Sequence, residues 1–98
     1  MTDTVRIERI HFQVPRHVRA SISADGLVLL DVHGGLVLAS NRIGARIWQL
    51  IEQRLGCIEI ASQLAADCSV PFERAYRDVI AFVTALEVRG LVIEEVGC

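Results

Sequence analysis

The amino-acid sequence predicts an α+β domain built as a three-stranded antiparallel β-meander followed by three α-helices. One change of hydrophobic period, two turn signals and the chain length carry that prediction. Apolar residues alternate with period two from Val18, are interrupted at Asp25-Gly26 and at His33-Gly34-Gly35, and beyond Ser40-Asn41 recur every three to four residues. The chain has 98 residues, enough for one hydrophobic core and too few for two independently folded units.

Residues 1–16 mix charged and apolar positions and end at Val14-Pro15, where the proline enforces an extended or turn conformation. They are expected to form a loosely attached N-terminal arm, with residues 17–98 as the domain. Val18, Ala20 and Ile22 then share one face and Arg19, Ser21 and Ser23 the other, the mark of a half-buried strand. Asp25-Gly26 reads as a tight turn. Residues 27–32 are a second, more apolar strand, and 36–39 a short third one. Short connections between consecutive strands make the antiparallel meander the expected topology.

Asn41 is a good helix N-cap, and Ile43, Ile47, Trp48, Leu50 and Ile51 cluster at helical spacing behind it. Gly44 costs that helix about 1 kcal/mol relative to Ala, so close packing against the sheet is its expected reason. The helix should stop near Gly56. A second helix over 58–67 should bury Ile58, Ala61, Leu64 and Ala65, with Cys57 where a hydroxyl or carboxylate cap usually stands. Pro71 suits the first turn of a third helix that runs to Arg89, with Phe72, Ala75, Tyr76, Val79, Val83 and Leu86 on one stripe and Gly90 as C-terminal cap. Residues 91–95 read as a short strand or an extended tail.

The chain is 52% hydrophobic and 22% charged, with 10 basic residues against 12 acidic and a formal charge of −2. That balance provides no positive field to draw it to nucleic acid or an anionic membrane. All the basic residues are Arg, so a P-loop lysine, a Schiff-base lysine and a Lys general base are excluded. No Gly-x-Ser-x-Gly, Gly-x-Gly-x-x-Gly or His-Glu-x-x-His motif occurs. His11, His17 and His33 precede the first helix while Cys57, Cys68 and Cys98 follow it, so a metal site would need distant segments. The cysteines read as buried apolar groups and a frayed terminus, and Asp31 as a solvated carboxylate or a turn acceptor. No catalytic residue, metal or cofactor is expected. Without a signal peptide or an apolar run of spanning length, the expected setting is the cytoplasm.

One feature stands apart from the core. Sheet edges are normally blunted by charge or proline, because their unpaired N–H and C=O groups recruit other strands. The first strand follows that rule with Pro15, Arg16, His17 and Arg19; the third, Leu36, Val37, Leu38, Ala39 and Ser40, carries neither charge nor proline. A helix or the arm covers it, or it is simply short, or an extended peptide adds there as a fourth strand. Beside the core stripe of the third helix, Arg74, Asp78, Phe82 and Ala85 form a flank that would make a second wall, although amphipathic helices often have such a flank with no partner.

The ordered set Gly26-Leu27-Val28-Leu29-Leu30-Asp31-Val32, Gly35-Leu36-Val37-Leu38-Ala39-Ser40-Asn41, Gly44-Ala45-Arg46-Ile47-Trp48, Ile60-Ala61 with Leu64, then Asp78-Val79, Phe82, Leu86 and Arg89-Gly90-Leu91-Val92 resembles the PqqD family. The resemblance spans roughly residues 17–93. It implies a small winged-helix-like fold and a non-catalytic peptide chaperone of ribosomally made, post-translationally modified peptide pathways. Such a domain binds the leader segment of a precursor peptide as an added strand between the third strand and the third helix, and delivers it to a modifying enzyme such as a radical-SAM enzyme or a leader peptidase. The sequence departs from the family at Cys57, where a hydroxyl residue is usual, and loosely at Ser40-Asn41.

The main alternative is a winged-helix DNA-binding regulator. Its recognition helix should be basic, yet Arg74, Arg77 and Arg89 are offset by Glu73, Asp78 and Glu87. An interaction module without leader specificity is the third reading. Which precursor or pathway is served, quinone-cofactor, lasso-peptide or other, is not written in the residues.

Overall fold

The computed structural model describes residues 11–95. Its elements follow in the order β1 (His11–Gln13), β2 (Val18–Ser23), β3 (Gly26–Asp31), β4 (Val37–Ser40), α1 (Arg42–Glu52), α2 (Cys57–Cys68), α3 (Phe72–Val88) and β5 (Ile93–Glu95). The expected meander is the sheet β2-β3-β4, and the three expected helices follow it. A second, two-stranded sheet pairs β1 with β5, His11 opposite Glu95 and Gln13 opposite Ile93.

For its described part, residues 11–16, that small sheet corrects the expectation of a loose arm over 1–16. Residues 1–10 lie outside the described residues, as does Cys98, but Phe12 is only 3% exposed and belongs to the core with Leu91 and Val92. A large apolar side chain anchors the strand, and the alternative reading of 91–95 as a short strand holds.

In the main sheet Leu29 stands between Ala20 and Leu38, and Leu27 between Ile22 and Ser40. Leu27 and Leu29 are fully buried, each contributing about 2 kcal/mol of apolar burial. The alternation expected of β2 holds only at Val18; Ala20 and Ile22 are exposed, because within this sheet α1 packs mainly over β3 and reaches β4 but not β2 to any extent. Gly26 is not in the turn, which is the pair Ala24-Asp25, but starts β3 with φ +150°. A Cβ there would lie 2.2 Å from the Ser40 carbonyl oxygen, so its missing side chain lets β3 pass under the β4–α1 joint.

Asn41 caps α1 as expected, its Oδ1 accepting the Gly44 N–H at 3.0 Å. Gly44 is buried, and an added Cβ would meet Ser40 Oγ at 2.1 Å and Phe82 Cε1 at 3.1 Å. The close approach expected of it is therefore to the end of β4 and to α3 together. Helix α1 ends at Glu52, earlier than expected, where Arg54 turns the chain with φ +69°. Gly56, not Cys57, is the N-cap of α2, and Glu59 Oε1 accepts its N–H at 2.9 Å. Cys57 is the first helical residue and is buried; Ile58 points out at 47% exposure and Ile60 takes its place in the core. An Arg46–Asp67 ion pair at 2.8 Å links α1 to α2 at the surface, worth under about 1 kcal/mol.

Helix α3 starts at Phe72, with Pro71 as its N-cap. Its buried row is Ala75, Val79, Val83 and Leu86; Phe72 is 42% exposed and stacks on half-buried Tyr76 instead of entering the core. At the other end Gly90, φ +73°, and Leu91 donate to Glu87 O and Leu86 O at 3.0 and 2.9 Å. These two bonds satisfy otherwise orphaned carbonyls and turn the chain into β5. At the centre Trp48 is fully buried with no acceptor for its Nε1–H among the described residues, so its contribution is volume and apolar contact. No helix among the described residues is long and apolar enough to cross a membrane.

Candidate functional site

Register decides which backbone groups of β4 are free. The Asp31 N–H donates to Leu36 O at 2.8 Å, and Leu29 and Leu27 stand opposite Leu38 and Ser40. In an antiparallel ladder hydrogen-bonded pairs alternate with non-bonded ones, so Leu36, Leu38 and Ser40 bond toward β3 while Val37 and Ala39 turn their N–H and C=O outward. Val37 is 60% exposed and Ala39 is exposed. Strand β4 is a sheet edge, and its outward residues carry no charge.

The loop that leads into this edge is held by Asp31. Its Oδ1 accepts the N–H of His33 at 2.9 Å and of Gly34 at 3.1 Å, and its carbonyl accepts from Gly35, φ +71°, at 2.7 Å. The Gly34 bond above all holds the Asp31 carboxyl below its ordinary value of 3.8; desolvation opposes it, and the His33 bond and the His17 and His33 charges add to the lowering. Of the two readings of Asp31, the turn acceptor is therefore the one realised.

At its far end β4 opens onto a groove of about 560 Å³ that runs along α3. One wall is Arg74, Asp78, Ala81, Phe82 and Ala85; the other is Ser40 and Asn41 with Ile43, Gly44 and Ile47 of α1. Of the nine residues expected from the sequence, the groove gathers Ser40, Arg74, Asp78, Phe82 and Ala85. Leu36, Val37, Leu38 and Ala39 lie outside its lining, further back along β4, with Leu36 and Leu38 packed against the core. The α1 wall was not foreseen. Its signal was Ile43, which continues the apolar spacing of α1 yet is 37% exposed, as befits a side chain on a groove rim.

Arg74 and Asp78 are exposed, and their side chains make no ion pair or hydrogen bond among the described residues. Phe82 is half-buried, its ring edge against the Gly44 backbone. The groove thus has one charged end and one apolar end. A somewhat larger hollow of about 600 Å³ lies beside β1, lined by Phe12, Val14, Arg16, Ile51 and Glu52 among others, and shares no residue with β4 or α3. Among the described residues no group of three or more His, Cys, Asp or Glu could hold a metal ion.

Comparison with known proteins follows the same lines. A family model described as coenzyme PQQ synthesis protein D (PqqD) matches residues 26–92, from the start of β3 to the core residue Val92. The chain belongs to the PqqD family. Among solved structures it is similar to TbiB1 in complex with the TbiA(beta) leader peptide, at 29% identity and a TM-score of 0.75, covering 82% of this chain and 93% of that one. It is also similar to a lasso peptide synthetase B1 complexed with the leader peptide, at 26% identity and a TM-score of 0.76, covering 85% of this chain and 98% of that one. No curated protein matches at a significant level. Its fold is thus the α+β arrangement of three antiparallel strands followed by three helices expected from the sequence.

Proposed function

We propose that this PqqD-family chain is a non-catalytic recognition protein. It binds the leader of a ribosomally made precursor peptide as a strand added to β4, with alternate leader side chains entering the groove against α3. The observation that carries this reading is the uncharged β4 edge, with Val37 and Ala39 backbone groups turned outward beside the groove, in a family whose similar structures are leader-peptide complexes. Backbone bonds supply affinity and the groove supplies specificity. Leu36 and Leu38 position the edge, Val37 and Ala39 offer their outward backbone groups to the leader, and Ser40, Arg74, Asp78, Phe82 and Ala85 contact its side chains.

The chemistry then belongs to a partner. Tethering the leader raises the effective concentration of the attached core peptide at that enzyme's active site. Similarity to lasso peptide synthetase B1 favours a leader peptidase over a radical-SAM enzyme as the partner, and the cytoplasm, where precursors are made, as the setting. DNA binding is disfavoured by the local neutrality of α3, where Arg74 and Arg77 are offset by Glu73 and Asp78.

The test is fluorescence anisotropy with a labelled leader from a short precursor encoded beside this gene, against labelled duplex DNA. A short added strand buries less than a standard interface, so dissociation constants on the order of micromolar are expected for the leader. Salt-steep DNA binding with no leader binding overturns the reading.

A further inference from the structure

The groove changes chemistry along its length in steps that an extended peptide can follow. Arg74, Asp78 and Phe82 are spaced four residues apart on α3 and line one wall. At the helical rise each step is about 6 Å. Same-face side chains of an extended chain repeat at about 6.7 Å, two residues apart. The two repeats differ by less than about 1 Å per step, so a bound strand that runs along α3 brings three consecutive same-face side chains to three successive groove residues.

The charged positions are open for such a partner. Neither the Arg74 nor the Asp78 side chain has a hydrogen bond or ion pair with a described residue. Their mutual order, cation N-terminal to anion, is the weaker orientation for attraction along a helix. Next in the row Phe82 faces Ile43 and Ile47 across the groove, an apolar pocket whose depth depends on Gly44 having no side chain.

Building on the leader-binding reading, we infer that this groove selects leaders in which a basic residue stands between an acidic residue and a large apolar residue, each two positions away. The acid sits against Arg74, the base against Asp78 and the apolar side chain against Phe82. Reversing the direction of the bound strand reverses the order but leaves the base in the middle. Opposite charges in register fix which leader residue enters the groove, whereas the added strand by itself tolerates slippage by two.

The probe is a random dodecapeptide display library, selected on the full 98-residue chain and on the double variant Arg74→Asp/Asp78→Arg. Wild type is expected to enrich the base-centred pattern, and the variant its inverse with an acid in the middle. Two partly solvated pairs should give wild-type consensus peptides about tenfold weaker binding to the variant. Both positions are exposed, and circular dichroism checks that the variant is folded; should it not be, Asp78→Asn alone must remove the preference for the middle base and keep the apolar one. Peptides enriched for apolar residues without a charge pattern, or identical enrichment by both proteins, overturn this inference and leave leader binding standing. Failure of wild type to enrich any peptide, together with no binding of the neighbouring leader, overturns both.

Discussion

At the two edges of the main sheet the same backbone chemistry meets different surroundings. On β2 the outward groups belong to Val18, Ala20 and Ile22, since Val32 N–H donates to His17 O at 2.9 Å and sets the ladder's phase. That edge is bracketed by Pro15, Arg16 and Arg19, and the Arg19 guanidinium donates to the Arg16 and Val18 carbonyls. On β4 the outward groups belong to Val37 and Ala39, without charge, beside a groove. One edge is guarded against strand addition and the other is left open next to a wall that can read side chains. The contrast shows that an uncharged edge becomes a binding feature through what stands beside it.

The largest effect is expected where the open edge is held in place. Gly26→Ala puts a Cβ 2.2 Å from the Ser40 carbonyl oxygen at a backbone φ of +150°, which should cost about 2–4 kcal/mol from strain and backbone clash. Thermal unfolding should show it as a lowered midpoint, and the β4–α1 joint should lose amide-exchange protection before β2 does.

The edges themselves are compared by proline. Val37→Pro removes an outward N–H of β4 and should weaken leader binding at least about tenfold by loss of a backbone bond and local distortion. Ala20→Pro, at an outward position of β2, should leave leader affinity within about twofold, since edge positions tolerate proline and no strand adds there. Equal losses from the two variants in anisotropy titrations would abolish the distinction between the edges.

A smaller change tests the wall. Phe82→Ala removes a half-buried ring between Gly44 and the groove, so leader affinity should fall about fivefold to tenfold while stability drops by about 1–2 kcal/mol, less than for a fully buried ring. Denaturant titration and anisotropy read the two quantities separately. Unchanged leader affinity in a folded Phe82→Ala protein would place the binding site elsewhere.

Much of this arrangement was legible in the residues, and the failures have physical reasons. Period two and period 3.6 are local signals, so the meander and the three helices could be read directly. Whether a strand's inner face is covered depends on where a helix lands, which is why Ala20 and Ile22, correctly paired in phase with Val18, are nevertheless exposed. Phe12 falls in a stretch that the sequence presents as an arm, because its partner strand, Ile93–Glu95, is about eighty residues away and no periodicity spans that gap. Gly26 looked like a turn residue because Asp-Gly usually is; its use is a non-local contact with Ser40. Within the groove the α3 flank followed from helical spacing, whereas the α1 wall followed only once the Gly44 contact with Ser40 and Phe82 fixed the helix against the end of β4.

The smallest effect concerns the loop that starts the open edge. Asp31 accepts the His33 and Gly34 amides and has its carboxyl held below 3.8. A group whose folded value is depressed contributes stability above its unfolded value and loses that contribution as pH falls through the folded one. The loop should therefore be unchanged from neutral pH down to the ordinary carboxylate range and loosen only below it. Protonating Asp31 weakens both amide bonds, and the electrostatic influence of His17 and His33, whose rings stack at 4.9 Å, opposes that protonation. Carboxyl-carbon NMR should give Asp31 a midpoint below 3.8, with the His33 and Gly34 amide shifts moving in the same step. Asp31→Asn should abolish that step and weaken leader binding no more than about twofold, because the two amides are exposed and water replaces the lost acceptor. A normal Asp31 midpoint would mean that the carboxylate does not organise the turn, and that β4 keeps its position through Gly35 and the ladder to β3 alone.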